Sequence, residues 1–384
     1  MGRSRRGLAA VQAVVFVDLL GLTLVLPALP FHTLALGGGG LWLGAVVAAY
    51  SAAQMLAAPA LGRLADRFGR RRMLLVALAG STASLLLMGL APALWALVAA
   101  RLVAGACGGS IGVAHALVAD LTEPHERTRA MGRVGMAVGA AFTIGPLVGT
   151  LGATAGMPAM AVAGAALAAA AWVLAWRTLP DPDPRAHPAG AAAPDVPHPP
   201  WALLAVGFLG MCALVGMETT VALLAGDRFD AGPGFVGVLL CLAGLAMTLV
   251  QARPLVAAVA RWGDARVATG CAVAMAAGLA AMPVVGAAGL VGAVVVVAAT
   301  QAVLATTTTS LLSRTVDAGR RGALLGRAQA MAAAGRLVGP VAAGGLADLA
   351  LDLPFQAGAA LALGAALAVQ LGGRRAVAAA GVPR

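Results

Sequence analysis

The sequence predicts an all-α membrane protein, twelve spanning helices in two pseudo-symmetric bundles of six, and three observations carry that reading. The first is composition: of 384 residues, 61% are hydrophobic and only 11% charged, which excludes an ordinary soluble globular protein. The second is length. Apolar runs recur along the chain, each close to the roughly 20 residues a helix needs to cross a hydrocarbon core about 30 Å thick. Twelve can be laid out, near residues 8–29, 41–61, 73–91, 94–119, 132–154, 157–176, 201–225, 235–259, 267–286, 288–312, 328–350 and 355–372. The third is periodicity: the alternating ten-residue strands of a membrane barrel are missing, and a helix satisfies its own backbone in lipid.

The first run follows MGRSRR, yet it is too long for the apolar core of a secretory signal, contains Asp18 and has no small-residue cleavage site after it. It is expected to be a retained span. All 26 cations are arginines, and 23 of them fall in the N-terminal tail, the even-to-odd loops and the C-terminal tail when Arg133 and Arg253, in the cytoplasmic parts of the fifth and eighth runs, are counted with the loops beside them; Arg101, Arg228 and Arg336 are the exceptions. That asymmetry is what the positive-inside rule gives for twelve spans with both ends cytoplasmic, so the net charge of +11 reads as topology. The short arginine loops carry no aromatic stacking residues, and no nucleic-acid partner is expected. Between the sixth and seventh runs lies RTLPDPDPRAHPAGAAAPDVPHPP, a proline-rich segment of the kind that forms semi-rigid linkers. The expected organisation is a six-helix bundle over 1–176, a cytoplasmic linker over 177–200 and a second six-helix bundle over 201–384.

Cys107, Cys212, Cys241 and Cys271 all lie inside spans without metal-ligand spacing and read as packing residues. No metal, cofactor or enzymatic chemistry is expected, because no nucleophile–base pair or nucleotide-binding glycine loop is present. The run Gly37–Gly40 lies in a loop with neither strand nor phosphate-binding helix around it.

An internal repeat supports the division into halves. RTRAMGRVGMAVGAAFTIGP at 127–146 and RGALLGRAQAMAAAGRLVGP at 321–340 align at an offset of 194, with Arg127 on Arg321, Arg133 on Arg327, Gly145 on Gly339 and Pro146 on Pro340. At the same offset Arg67 and Gly69 meet Arg261 and Gly263, whereas Asp66 meets Ala260, so the second copy of that loop reads as decayed.

That loop, GRLADRFGRRRMLL, sets five arginines and one aspartate between two apolar runs. Gly62, Leu64, Asp66, Arg67, Gly69, Arg70 and Arg71 fit, position by position, motif A of the major facilitator superfamily, G-x-L-a-D-r-x-G-r-K/R, between spans two and three. DLLGLTLVLPALP resembles the first-span motif of the twelve-span drug:proton antiporter subfamily, LVAARLVAGACGG resembles motif B with Arg101, and IGPLVGT resembles the antiporter motif C. YSAAQMLAAPALGRLADRFGRRR and ADLTEPHERTRAMG are similar to the tetracycline-efflux-like branch. The resemblance implies the major facilitator fold, a secondary transporter in a bacterial cytoplasmic membrane, a small-molecule substrate, protons as the coupling ion and action as a monomer. It also implies that Asp66 pairs with Arg70 and a facing helix dipole as a cytoplasmic latch, extended by Asp120 at the inner end of span four. Gly145, Pro146, Gly149 and Gly152, with their echo at Gly335, Gly339, Pro340 and Gly344, would let helices approach closely. Where the tetracycline-efflux-like branch carries an acid in span three and a histidine in span eight, this chain has Ser84 and Met247, so tetracycline is not the expected substrate.

Ionisable groups within spans are costly and mark function by default. Asp18, mid-way along the first span, is the candidate proton carrier. Arg101 and His115, fourteen residues apart, would share one face of an unbroken helix. Arg101 would then regulate Asp18, and His115 would be either a proton relay or a helix-packing histidine. Glu218 is either a second proton site, the partner of a cationic substrate, or only a partner of Arg336 or of backbone groups. Thr306–Thr309 reads as structural, since threonine hydroxyls bond back to the preceding turn. The expected activity is export of small amphipathic drugs or metabolites by proton antiport. The alternatives are proton-linked uptake and a transporter-like receptor.

Overall fold

The computed structural model describes residues 2–108, 110–122, 124–152, 155–179, 199–251, 253–316 and 318–379. Within its helices the side chains of residues 2–6, 66, 110–112, 119–121, 124–129, 253, 318–319 and 373–379 are outside that description. Among the described residues every regular element is a helix. The first expected span is α1 (Gly2–Val25), a 3-10 turn at Leu26–Ala28 and α2 (Leu29–Ala35). Pro27 and Pro30 sit in the first turns of the latter two segments, where a missing N–H costs nothing but a continuing helix would lose its hydrogen bonds. Then follow α3 (Gly40–Phe68), α4 (Arg70–Gly89), α5 (Leu94–Cys107), α6 (Ser110–Leu121), α7 (Pro124–Gly152) and α8 (Gly156–Thr178). The second half holds α9 (Trp201–Phe229), α10 (Pro233–Val250), α11 (Arg253–Trp262), α12 (Asp264–Ala281), α13 (Ala287–Ser313), α14 (Ala318–Leu349) and α15 (Leu353–Ala379).

All twelve expected spans coincide with these helices, the fourth divided into α5 and α6 and the eighth into α10 and α11. Ten helical stretches among the described residues are long and apolar enough to cross a membrane by themselves. The fourth span falls short because it breaks at Gly108, and α12 falls outside because its 18 residues include Asp264 and Arg266. The helices also overrun the apolar windows: α7 and α14 begin several residues earlier, in arginine-bearing sequence, because a helix started in water continues through the interface at little cost.

The chain divides into two compact units, one of Met1–Gly38, Ala49–Ala189 and Gly232–Cys241, the other of Gly39–Ala48, Gly190–Ala231 and Leu242–Arg384. In the first, α1 packs on α7 and α8, and α4 on α5 and α8. Its core joins Val11, Val14 and Leu19 of α1 to Leu74 and Leu78 of α4 and Leu117 of α6. In the second, α9 packs on α13, α14 and α15, and α12 on α13 and α15, around Leu203, Leu204, Leu304 and Leu312. Large apolar side chains such as Leu56, Leu151 and Leu249 remain exposed, as expected of helices that are apolar all round and face lipid.

Lipid removes the hydrophobic drive between helices, so close backbone approach decides which surfaces meet. A Cβ built on Gly21 of α1 would lie 2.6 Å from the Gly164 carbonyl of α8, and the reverse holds for Gly164. Gly149 of α7 leaves the same kind of room for the Leu24 carbonyl, and Gly339 of α14 for Cys212 of α9 at 2.7 Å.

Candidate functional site

Asp18 is 4% exposed and forms part of the wall of a small cavity, about 20 Å³, inside the first unit. Tyr50 of α3, Ser81 and Ser84 of α4 and Gly108 at the end of α5 complete its polar side. Arg101 of α5, 5% exposed, holds its guanidinium 4.8 Å above the Tyr50 ring, a desolvated cation–π contact. The helices reach this spacing because Gly105 has no side chain: a Cβ there would collide with the Tyr50 carbonyl. α5 ends at Cys107, and Gln54 Nε2 donates to the freed Gly108 carbonyl at 3.0 Å, satisfying backbone that the break exposes. Irregular backbone at membrane depth is tolerated only where protein or a cavity receives it. The chain's single tyrosine thus lines the cavity of the buried acid and carries the buried base on its ring.

The break corrects one expectation. Arg101 and His115 stand on separate helices, α5 and α6, so the four-turn register across one helix does not exist. His115 is half-buried and is not part of the cavity wall around Asp18.

The side chains of Asp66 and Asp120 lie outside the described residues, whereas the arginines of the expected latch have defined partners. Arg70 Nη1 donates to the Ala116 carbonyl of α6, and Arg71 Nη2 donates to the Trp176 carbonyl in the last turn of α8 at 2.5 Å. The second contact satisfies a carbonyl that the end of α8 leaves without an intrahelical partner. Gly69 takes φ +95° between α3 and α4, a conformation only glycine adopts readily. Gly62 meets nothing within 4 Å of a built Cβ, so packing does not require glycine there.

The second-half loop keeps this architecture. Gly263 takes φ +78°, and Arg261 lies 5.5 Å over the Trp262 ring as Arg67 lies 5.2 Å over Phe68. Ala260 does replace the acid, but the copy is reworked rather than decayed. At the offset of 194, Arg70 and Asp120 fall on Asp264 and Arg314, the signs exchanged. Arg314 pairs with the buried Asp264 at 2.9 Å, and Ser310 donates to the same carboxylate oxygen at 3.3 Å. The pair joins the first turn of α12 to the end of α13. Asp264→Arg or Arg314→Asp alone is expected to lower the thermal stability of the purified protein. The double exchange should recover it, with a coupling of about 1 kcal/mol in a double-mutant cycle, modest because Arg314 is largely exposed. A cycle with no coupling would make the pair incidental.

In the second unit, Glu218 of α9 is half-buried. Gly335 and Gly339 pack against Phe208, Met211 and Cys212 of α9, and Gly145 against Thr23 of α1, whereas Gly152 makes only ordinary contact with Met160 at 3.6 Å. Thr306, Thr307 and Thr309 bond back to carbonyls four residues earlier, as expected; Thr308 departs from that pattern. The tetraglycine finds its reason here. Asp348 of α14 accepts the N–H groups of Gly40 at 2.6 Å and Leu41 at 2.9 Å, and a Cβ on Gly39 would lie 2.7 Å from that carboxylate.

Sequence reasoning missed Tyr50, Gln54, Asp264, Arg314 and Asp348. Applying the repeat offset to Arg70 and Asp120 would have found two of them; a lone tyrosine and a loop of glycines gave no comparable signal.

A family model described as Major Facilitator Superfamily matches residues 13–260. Tetracycline resistance protein, class C, of Escherichia coli is 37% identical over 153 residues, 38% of this chain and 38% of that protein. Multidrug resistance protein 2 of Bacillus subtilis is 35% identical over 136 residues, 35% of this chain and 34% of that protein. The alignments therefore span little more than a third of these relatives. Among solved structures, the human organic anion transporter MFSD10 (TETRAN) superposes with a TM-score of 0.69 at 24% identity, over 96% of this chain and 99% of that one. The nucleoside transporter NupG superposes with 0.75 at 15% identity, over the full length of both. At these identities the likeness is one of fold.

Proposed function

Because the chain belongs to the Major Facilitator Superfamily, we propose that it is a multi-pass secondary transporter that exports small amphipathic drugs or metabolites by proton antiport through alternating access. The observation that carries the proton-coupled reading is the burial of Asp18 and Arg101 around Tyr50 in one unit, an ionisable arrangement too costly in a membrane to be kept for packing alone. The named resistance proteins among its relatives support export as the direction. Ser84 in the wall beside Asp18, where the tetracycline-efflux-like branch carries an acid, favours a substrate other than tetracycline.

In this reading both termini and the linker 177–200 are cytoplasmic, residues 1–176 and 201–384 form the two bundles, and the chain acts as a monomer. Asp66, with Arg70 and Asp120, latches the cytoplasmic side; the packing glycines of α7 and α14 seal the helices against leak; Glu218 and His115 are secondary to Asp18. Arg101, held by Tyr50 close to the cavity, stabilises the ionised form of Asp18 after proton release. One site that serves proton and substrate in turn gives exchange, because each event sets the charge state that the other needs.

The test is solute-dependent proton flux. Inverted membrane vesicles with an acidic lumen, challenged with a panel of neutral and cationic amphipathic drugs, are expected to lose part of their pH gradient on addition of a substrate. Vesicles without the protein should not respond. Accumulation of the solute by whole cells, accelerated by external acid, would replace export with uptake; a panel without any proton response would remove the antiport reading.

A further inference from the structure

A cavity of about 260 Å³ lies wholly within the second unit, among α9, α13 and α14. Its walls are mostly apolar, Leu204, Met211, Leu304 and Ala328 among them, and they contain no acidic, basic or histidine side chain. Four polar side chains interrupt the apolar surface, Thr309 of α13 and Gln329 of α14 at its partly exposed side and, deeper on α13, Gln301 and Thr308, 3% and 4% exposed. Seven residues apart, the last two stand two turns from each other on one face of α13. Gln301 Oε1 and Thr308 Oγ1 are buried and meet no hydrogen-bond partner among the described residues. Native interiors rarely leave such atoms unpaired.

Neither residue is there by default. The threonines on both sides of Thr308 satisfy their hydroxyls on the preceding turn, so its failure to do so is particular to this position. Gln301 is bedded against Gly210 of α9, where a Cβ would come within 2.6 Å of Oε1; any other residue at 210 would displace the amide. The amide is therefore accommodated by the neighbouring helix while its hydrogen bonding is left open, the state of a group held for something that comes and goes.

We propose that this cavity binds an uncharged, largely apolar aromatic solute that carries a hydrogen-bond donor, received by Gln301 Oε1 after a small rotation of the amide, with Thr308 Oγ1 taking a second polar group. A charged group would enter a wall with nothing to pair it, which the low dielectric penalises. Volume and lining suit a solute of two linked aromatic rings. The proposal rests on the transport reading only in naming the occupant a substrate, and it narrows that substrate: charge exchange is carried out around Asp18, and the second unit recognises a neutral body.

The experiment titrates the purified full-length protein in nanodiscs with N-phenyl-1-naphthylamine, a neutral fluorescent amine with one N–H. Its N-methyl analogue, which lacks that donor, and the tetraphenylphosphonium cation are titrated in parallel, with empty nanodiscs as blank. Saturable binding of the amine is expected, weakened about tenfold by Gln301→Leu, which keeps the size and the apolar fit but removes the acceptor. The N-methyl analogue should bind the wild type and Gln301→Leu alike. Ala328→Trp, which fills the cavity, should remove both, and the phosphonium cation should not compete. Elution as a single folded species is checked for each variant. The absence of saturable binding, equal binding by wild type and Gln301→Leu, or displacement by the cation would each overturn the proposal. Gln301-dependent binding without solute-driven proton release would remove the antiport reading and leave the pocket; proton release without such binding would remove the pocket alone.

Discussion

Asp18→Asn is expected to reduce pH-driven export and substrate-induced proton release to the background of vesicles lacking the protein, while the variant stays folded in the membrane and still exchanges substrate downhill. Asparagine has the shape of the protonated acid and cannot ionise, so it freezes the state in which the site holds its proton. Substitution by alanine would confuse this, because it would also enlarge the cavity that Asp18, Tyr50 and Ser84 enclose. The contrast that gives the result meaning is Glu218→Gln: Glu218 lines neither the Asp18 cavity nor the Gln301 cavity, so its loss should be mild. Proton flux and counterflow in the same proteoliposomes separate coupling from exchange. Full pH-driven export by Asp18→Asn together with its loss in Glu218→Gln would move the coupling acid to the second half and reverse the assignment.

The largest structural effect should come from Gly145→Val. In α7 the missing side chain of Gly145 is the space that the Thr23 hydroxyl of α1 occupies, and that hydroxyl lies 2.7 Å from the Leu19 carbonyl and 2.9 Å from the Ala141 carbonyl. A branched side chain would push α1 and α7 apart and break the bond between them, with Leu24 and Gly149 one turn further along carried with it. Since lipid offers apolar surface as good as the helix interface, nothing compensates for lost contact. The cost should reach or pass the about 1–3 kcal/mol of an overpacked core. Gly135→Ala on the same helix meets nothing within 4 Å and should instead stabilise by about 0.5–1 kcal/mol through backbone entropy. The check is the midpoint of thermal aggregation of detergent-purified protein; a common sign for the two variants would mean that helix propensity and not the α1–α7 contact governs.

The two arginines that satisfy carbonyls of α6 and α8 illustrate how far charge counting reaches. Their number and location gave the loop, and the repeat gave its second copy, yet the exchange of sign between Arg70 with Asp120 and Asp264 with Arg314 cannot be seen by matching like with like. In the structure Arg70 donates to the Ala116 carbonyl, whereas Asp264 at its place in the repeat pairs with Arg314. Gly69 and Gly263 stay aligned because a positive φ does not tolerate loss of glycine.

What the sequence determined by itself was the set of spans, their all-helical nature and the few residues whose presence in lipid demands a reason. The bilayer imposes a length and forbids unpaired backbone, so composition translates into structure almost directly, and Asp18 and Arg101 stand out because ionisable groups in spans are rare. Tertiary structure decided which of those residues meet. Asp18, Tyr50 and Arg101 are separated by 32 and 51 residues along the chain, and they come together only because Gly105 lets α5 lie against α3. Gln301 and Thr308 look like ordinary polar residues of an apolar helix until α9 and α14 enclose them. Helices apolar on every face carry no pattern that tells which face turns inward, and small-residue contacts, visible only when two backbones meet, make that choice.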